Sequence, residues 1–333
     1  MPKSILTRRG ICRSVAAACG LAFMAASAPA ALAANAYPAK PVRIIVPYGP
    51  GGIADVTMRF IAEALSQHFG EKFYIDNRPG AGGIVAMKEA LQAPPDGYTL
   101  TMIGGGLTIA KALFRHLPYN IETDVQPLST TASYGLVVVT KAGSPLKSIK
   151  DVIAAAKAHP GALNIGTINA GSTQNLSAEL FHIRTGINVT IIPYKTTPQL
   201  ANAVLRGDVQ LAFDYFPALQ SPILNKQMTV LATTGARRAA NLPDVPTMME
   251  AGVPNYDVTS WNGLAVRKGT PPAIVKLLHN AVVEALKSPK VQAFSAKAGM
   301  DAHGMEPDAL RALIKSDVAK WTEVIQKAGI KRR

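Results

Sequence analysis

Hydrophobic positions along the chain follow two spacings. Short apolar runs rich in β-branched residues predict buried strands, and longer segments with apolar residues every three or four positions predict amphipathic helices. The predicted strands are residues 42–46, 73–76, 98–103, 136–140, 163–167, 189–193, 210–214, 229–232 and 262–266. The predicted helices are residues 53–69, 84–92, 149–158, 174–185, 198–206, 274–286 and 307–328. Because strands that alternate with helices are typical of parallel sheets, the pattern predicts an α/β fold.

The first predicted strand is followed by a loop of glycine and proline and then by a helix. Pro47 ends the β-branched run, and apolar periodicity begins again near Ile53. Gly51 and Gly52 have no Cβ, so a ligand can approach the main chain closely. First-turn N–H groups lack helical partners and lie at the positive end of the helix dipole. The loop has neither the Lys-Ser/Thr pair of a P-loop nor a complete G-x-G-x-x-G, so it predicts binding of a small anion rather than phosphoryl transfer.

A second unit of strand, loop and helix lies at residues 164–174. Gly171, Ser172 and Thr173 offer backbone N–H groups there, and Ser172 or Thr173 can cap the helix. Taken alone, this loop also fits an ordinary capped helix start. Two such loops, one in each domain, can hold an anion from both sides of a cleft.

The N-terminal 36 residues have the pattern of an export signal. A basic stretch precedes a short apolar segment at 15–24 and A-x-A cleavage sites at 31–33 and 34–36. The apolar segment is too short to span a bilayer. The pair Arg8 and Arg9 also resembles a twin-arginine signal. Both cysteines, Cys12 and Cys19, lie in this leader, so the mature chain is predicted to have no disulfide.

Composition narrows the class of protein. Hydrophobic residues make up 48% of the chain and charged residues 17%, which predicts a soluble protein with a large core. The mature length of about 300 residues suits two α/β domains. The net charge is +14, but the basic residues are scattered and no aromatic-interleaved basic stripe is present, which argues against a nucleic-acid partner. A positive field can steer small anions toward a cleft.

Motifs for catalysis and metal binding are weak. Ser144 and Lys147 have S-x-x-K spacing without the partner motifs of that enzyme class, and no G-x-S-x-G elbow occurs. The six histidines are scattered without H-x-x-x-H spacing. The sequence therefore predicts no catalytic residue, no metal site and no cofactor. Asp214, followed by Tyr215 and Phe216, is interpreted as a ligand contact or a strand-end cap.

Short motifs in a fixed order point to one family. They are Tyr37-Pro38 with residues 40–43, residues 50–52 with Asp55, and residues 77–83, 94–100, 193–195, 213–214, 242–247, 260–261 and 320–321. With these motifs the chain resembles the Bug-type solute-binding proteins, the periplasmic receptors of the tripartite tricarboxylate transporter family. The resemblance covers nearly the whole mature chain.

The resemblance implies a type II periplasmic-binding-protein fold, in which two α/β domains are joined by crossing strands around a ligand cleft. Residues 1–36 are then the signal peptide, residues 37–136 with 260–333 form the first domain, and residues 137–259 form the inserted second domain. The chain is expected to cross near 134–140 and to return near 258–264.

The resemblance also implies a binding site, in which two loops hold a ligand carboxylate through main-chain N–H groups, small side chains and bridging waters. The implied ligand-binding residues are Tyr48, Gly49, Pro50, Gly51, Gly52, Ile53, Ala54, Asp55, Gly105, Gly106, Thr167, Ile168, Asn169, Ala170, Gly171, Ser172, Thr173, Tyr194, Asp214 and Trp261. Asp214 matches a position that meets a donor group of the ligand in some members.

The chain departs from the usual pattern of this family at three places. Thr167-Ile168-Asn169 replaces Ser-Ser-Gly, Asn175 replaces a histidine, and Gly105-Gly106 replaces Thr-Ser. These changes are expected to reshape the pocket around the distal half of the ligand.

The implied function is capture of a small mono- or dicarboxylate, aromatic ones included, for delivery to the membrane permease subunits of a tripartite transporter. The protein is expected in the periplasm as a monomer. Two alternatives remain open: a sensor of the same fold that signals to a membrane protein, and an exported enzyme built on the scaffold.

Overall fold

The structure is a computed structural model that describes residues 37–332. The predicted signal peptide, with Cys12 and Cys19, lies outside the described residues. The strands are β1 Val42–Val46, β2 Phe73–Asn77, β3 Thr99–Gly104, β4 Val125–Lys141, β5 Asn164–Ile168, β6 Thr190–Tyr194, β7 Leu211–Tyr215, β8 Met228–Thr233 and β9 Thr259–Arg267. The helices are α1 Ile53–Phe69, α2 Ile84–Gln92, α3 Gly105–Leu113, α4 Ile149–Ala158, α5 Thr173–Thr185, α6 Thr197–Arg206, α7 Phe216–Leu224, α8 Pro272–Leu286, α9 Pro289–Lys297 and α10 Pro307–Lys327.

The strands form two parallel groups that a long strand connects. Their order is β2-β1-β3-β9-β4-β7-β5-β6, with β8 also paired to β4. β1 is parallel to β2 and β3, and β5 is parallel to β6 and β7. β4 is antiparallel to β9 through Gly135, and then to β7 from Leu136 onward. The predicted α/β fold is confirmed, and β4 and β9 are the strands that connect its two halves.

Each parallel group is covered by helices that bury an apolar face. In the first group, Met58, Ile61 and Leu65 of α1 pack with Val42 and Ile44 of β1, and each of these side chains is fully buried. Burial of one such side chain contributes about 1.5–3 kcal/mol relative to leaving it exposed. The β-branched run that predicted β1 is thus buried because helices cover it.

The core of the second group also takes in elements from outside residues 137–259. Ile109 and Leu113 of α3 pack in the same buried cluster as Phe181 and Phe213, and Trp321 of α10 joins them. The two halves therefore share α3 and the end of α10 as packing elements. The domain boundaries expected from the sequence stay a prediction.

Several elements of the structure are absent from the pattern-based prediction. Helix α3 begins at Gly105-Gly106, which resembles a loop in sequence. Helix α7 contains Pro217 in its first turn and Pro222 in its interior. Helix α9 and the first half of β4 were not predicted either. The first half of β4 buries polar side chains at residues 129–131, which hides its strand pattern.

No helix among residues 37–332 combines the length and the apolar character needed to cross a bilayer.

Candidate ligand-binding cleft

The loop between β1 and α1 is held in shape by Asp55. Its carboxylate is 1% exposed and accepts hydrogen bonds from the Gly51 amide at 2.9 Å, from Asn77 Nδ2 at 2.8 Å and from Arg59 Nε at 2.9 Å. Asn77 Nδ2 also donates to the carbonyl of Tyr48 at 2.9 Å. Burial alone would raise the pKa of the Asp55 carboxyl, but the three donors outweigh burial and hold that pKa below its ordinary value. Asp55 is therefore charged at neutral pH and fastens the loop to the start of its helix.

The loop between β5 and α5 is held in a similar way by Asn175. The Gly171 amide donates to Asn175 Oδ1 at 2.9 Å, and the Asn175 side chain is buried. Ser172 is the N-cap: its Oγ accepts from the Asn175 amide at 3.1 Å, and its hydroxyl donates to the Ile168 carbonyl at 2.6 Å. The neutral amide of Asn175 thus accepts the glycine N–H in the second loop, as the carboxylate of Asp55 does in the first.

The backbones of the two loops are near copies. Gly51 has φ +86° and Gly171 has φ +80°, a left-handed conformation that favours glycine. The N-cap residues that follow, Gly52 and Ser172, both have φ −75°, with ψ 164° and 165°. In each loop the glycine amide is bonded to a side chain four residues ahead, so the same local structure occurs in both halves of the protein.

First-turn amides of the two helices remain available beyond these bonds. Among the described residues, the N–H groups of Ala54, Thr173 and Gln174 have no hydrogen-bond partner. Such groups, together with the positive end of the helix dipole, favour an anion.

A cavity of about 300 Å³ lies between these two helix starts. That volume is at the lower end of the roughly 300–1,000 Å³ found for ligand sites. Ala54 and Thr173, one from each first turn, line it. The other lining residues are Tyr48, Gly106, Tyr134, Gly135, Tyr215, Phe216, Pro217, Ala218, Ser260, Trp261, Asn262, Ala298, Gly299 and Met300. Within the described part of the chain, no residue with a charged side chain lines this cavity.

Tyrosines from both halves form much of the cavity wall. The rings of Tyr134 and Tyr215 meet edge to face, with centroids 5.3 Å apart and planes at 69°. The Tyr215 hydroxyl donates to Ser260 Oγ at 3.3 Å. Burial raises the pKa of the Tyr134 and Tyr215 phenols above the ordinary value of 10.0. Both phenols therefore stay protonated at neutral pH and add no negative charge to the cavity.

The side chain of Trp261 is held in its orientation by a hydrogen bond to the C-terminal helix α10. The side chain is 1% exposed, and Nε1 donates to Asp317 Oδ2 at 2.8 Å. Lys320 Nζ lies 2.8 Å from the other oxygen of Asp317 and neutralises that carboxylate. The orientation of the indole thus depends on α10.

The predicted site residues have several different positions in the structure. Those that line the cavity are Tyr48, Ala54, Gly106, Thr173 and Trp261. Those that shape the two loops are Gly51, Gly52, Asp55, Gly171 and Ser172. Those that lie outside the cavity lining are Gly49, Pro50, Gly105, Thr167, Ile168, Asn169, Ala170 and Tyr194. Ile53 begins α1. A direct contact between any of them and a ligand stays a prediction.

The carboxylate of Asp214 is buried and hydrogen-bonded within the protein, and it does not line the cavity in this structure. The carboxylate is 1% exposed and accepts from Gln174 Nε2 at 2.9 Å, from Thr197 Oγ1 at 2.7 Å and from the Tyr215 amide at 2.8 Å. It joins the starts of α5 and α6 to the end of β7. This geometry matches the strand-end cap that the sequence left open, and a role in ligand choice stays a prediction.

Sequence reasoning missed several wall residues and the function of Asn175. Tyr215 and Phe216 were visible as neighbours of Asp214, and Ser260 as the neighbour of Trp261. Tyr134 had no signal beyond its place near the expected crossing, and residues 298–300 had none. These residues become neighbours only when the two halves pack together.

Comparison with known proteins identifies the family. A family model described as the tripartite tricarboxylate transporter family receptor matches residues 57–330. The chain belongs to this receptor family. The resemblance to Bug-type proteins and the two-domain binding-protein fold are confirmed. Receptors of this family are periplasmic, bind small carboxylates and work with membrane transporter components, and they are solute-binding proteins rather than enzymes.

Individual relatives cover nearly the whole chain. Protein BugT of Bordetella pertussis is 33% identical over 315 residues, which are 94% of this chain and 96% of BugT. The structure described as R. palustris Rpa4515 with adipate has a TM-score of 0.74 and 33% identity, and the match covers 89% of this chain and 99% of that one. MatC from Rhodopseudomonas palustris with bound malate has a TM-score of 0.69 and 27% identity. The match covers 87% of this chain and 100% of MatC.

Proposed function

We propose that this chain is a periplasmic receptor that captures a small carboxylate in the cavity between α1 and α5 and delivers it to the membrane permease subunits of a tripartite tricarboxylate-type transporter. The observation that carries the proposal is the pair of near-identical loops, each of which opens a helix at the same cavity. The twenty ligand-binding residues predicted from the sequence, from Tyr48 to Trp261, belong to this proposal.

The chemistry of the cavity favours an anion held by the main chain. Each helix start contributes a partial positive charge, worth about 0.3–1 kcal/mol for an anion at an exposed site and up to about 2 kcal/mol when partly buried. Since no cationic side chain of the described residues lines the cavity, a carboxylate there depends on backbone amides and on neutral donors such as Ser260 and Asn262. The presence of adipate and malate in the structures of two relatives supports this ligand class.

The remaining features of the proposal follow from the sequence. Residues 1–36 direct export, by the general or the twin-arginine route. Residues 37–136 with 260–333 form one domain and residues 137–259 the other, and the receptor acts as a monomer. It binds its ligand without chemical conversion and without a cofactor, a metal ion or a nucleic acid.

A proline substitution tests whether the main chain holds the ligand. Thr173 is the first residue of α5, a position where proline removes an N–H group without breaking the helix. Within residues 37–332, three helices already begin with proline, at Pro272, Pro289 and Pro307. Ser172 has the extended conformation that a following proline requires. Thr173→Pro is therefore expected to fold and to weaken carboxylate binding at least about tenfold, as the loss of one charge-assisted hydrogen bond implies.

The matched control is Thr173→Ala, which removes the hydroxyl and keeps the N–H group. Calorimetric titration of both variants with the carboxylate that most raises the melting temperature of the unaltered mature protein compares the two contributions. We expect a much larger loss of affinity in the proline variant than in the alanine variant. Equal losses would assign the contact to the side chain, and a melting temperature raised only by sugars or amines would refute the proposed function.

A further inference from the structure

Five of the sixteen described residues that line the cavity are aromatic. Tyr48, Tyr134, Tyr215, Phe216 and Trp261 line it, and they come from a loop, from strands β4, β7 and β9, and from the start of α7. Aromatic side chains pack favourably against a further ring, face to edge or offset and stacked, beyond the effect of area alone. The walls are therefore suited to a flat ring in the body of the ligand.

Resting on the proposed function, we propose that the captured ligand is a monocarboxylate whose body is an aromatic ring. The carboxylate lies at the first-turn amides of α1 and α5, and the ring lies among the five aromatic side chains. Aromatic monocarboxylates are a narrower class of ligand than small carboxylates in general. They also differ from the adipate and malate bound in two relatives.

A second carboxylate has no cationic partner in this cavity. None of the described lining residues carries a positive charge: Ser260 and Asn262 are neutral, and Phe216, Ala298 and Met300 add apolar surface. Burying an ionised carboxylate without a cation or several hydrogen bonds is costly. The phenols of Tyr134 and Tyr215 are already placed near Ser260, which occupies part of their hydrogen-bonding capacity. A dicarboxylate therefore gains less in this cavity than a ligand with one charged end.

Two glycines at the start of α3 leave width for a ring. An added Cβ at Gly106 would meet only the Tyr48 hydroxyl, at 3.8 Å, and one at Gly105 would have Ser260 Oγ at 3.7 Å and Trp261 Nε1 at 3.9 Å. Gly106 lines the cavity, so its lack of a side chain leaves space open beside Tyr48. Gly105 lies outside the lining, and its lack of a Cβ avoids contact with Ser260 and Trp261.

A set of four probes tests the inference on the unaltered mature protein. Calorimetric titration compares benzoate with three other probes. Benzamide removes the charge, cyclohexanecarboxylate replaces the aromatic ring, and adipate has a second carboxylate and no ring. Benzoate is expected to bind about two- to tenfold more tightly than cyclohexanecarboxylate, since an aromatic contact is worth about 0.5–1.5 kcal/mol beyond area. Adipate is expected to bind at least about tenfold more weakly than benzoate, and benzamide is expected to show no measurable binding.

Variants at Tyr215 locate the effect. Tyr215 is only partly buried, and Tyr215→Leu removes the ring while Tyr215→Phe keeps the ring and removes the hydroxyl. The ratio of the benzoate and cyclohexanecarboxylate affinities is expected to fall toward one in the leucine variant and to stay unchanged in the phenylalanine variant. A melting curve of each variant without ligand verifies its fold.

The outcomes separate this inference from the function on which it rests. If adipate or cyclohexanecarboxylate binds as tightly as benzoate, the aromatic class is wrong and the carboxylate receptor stands. If none of the three carboxylates binds, the aromatic class is wrong, and the proposed function fails as well only if no carboxylate raises the melting temperature of the protein. The probe panel decides this on the unaltered protein even where Tyr215→Leu does not fold.

Discussion

Removal of the Asp55 carboxylate is expected to cost far more stability than removal of the Asn175 amide, although both side chains hold a glycine amide in the same way. Asp55 accepts three hydrogen bonds, at 2.9, 2.8 and 2.9 Å. Asn175 accepts one at 2.9 Å, and its second contact, to Thr167 Oγ1, is long at 3.4 Å. A comparison of Asp55→Ala with Asn175→Ala therefore measures how much more a charged side chain stabilises this loop structure than a neutral one.

The expected magnitudes follow from the partners. A hydrogen bond to a charged group contributes about 1.5–3 kcal/mol and a neutral one about 0.5–1.5 kcal/mol. Arg59 is 49% exposed, so its ion pair with Asp55 is screened by solvent and adds little. Because neighbouring contributions are not additive, Asp55→Ala is expected to lower the free energy of unfolding by about 3–4 kcal/mol at pH 7. Asn175→Ala is expected to lower it by about 1–2 kcal/mol.

The losses of unfolding free energy in Asp55→Ala and Asn175→Ala are also expected to differ in their dependence on pH. The pKa of Asp55 is lowered in the folded protein from its ordinary value of 3.8. The stability from its ionised form is thus fully present above pH 3.8 and is lost as the pH falls through the lower, folded-state pKa. Asn175 does not titrate, so the cost of Asn175→Ala stays constant.

Urea unfolding of the unaltered protein and both variants at pH 7 and pH 3 measures these differences. The expected result is a gap between the variants that is large at pH 7 and narrows at pH 3. Equal losses at pH 7, or a gap that does not change with pH, would contradict the assignment of Asp55 as a charged fastening of the loop.

Four further predictions each concern one residue. Gly51→Ala is expected to lower the free energy of unfolding by about 1–2 kcal/mol, because Gly51 has φ +86°. Gly52→Ala, at φ −75° with no atom within 4 Å of the added Cβ, is expected to leave stability unchanged, so a loss of affinity in titrations would report close approach of the ligand. Asp214→Ala is expected to lower the free energy of unfolding by about 2–3 kcal/mol without ligand, because it removes the acceptor of three hydrogen bonds. An unchanged midpoint of urea unfolding would contradict its role as a cap. Asp317→Ala frees the indole N–H of Trp261 and is expected to change tryptophan fluorescence and weaken ligand binding; unaltered affinity would show that the indole needs no support from α10.

Much of the fold was predictable because local pattern and tertiary burial agree. The periodicity predicted α2 and α4 with the bounds that the structure has, Ile84–Gln92 and Ile149–Ala158, and Ser148 caps the second of them. Strand β7 was predicted one residue early, because Tyr215 continues the strand while the aromatic run masks its end. Helix α7 was not predicted because proline disfavours helix, and packing overrides that preference at Pro222.

The loops of the site were predictable from glycine, but the walls were not. Gly51 and Gly171 mark positions that need positive φ, a requirement that sequence records directly. Tyr134 and Tyr215 meet because β4 pairs with β7 across the two halves, and no local pattern encodes that contact. The fastening bonds of Asp55 and Asn175 were hidden for a different reason: a polar residue in a first helical turn has several common functions.

A crystal structure of the mature protein with the carboxylate that most raises its melting temperature shows whether both helix starts hold the anion. We expect carboxylate oxygens within about 3.2 Å of first-turn amides of both α1 and α5, among them Ala54 and Thr173. We also expect the body of the ligand among the rings of Tyr134, Tyr215 and Trp261. A carboxylate bound to side chains elsewhere in the cavity, or to one helix start alone, would contradict the claim that the two loops act together as the anion site.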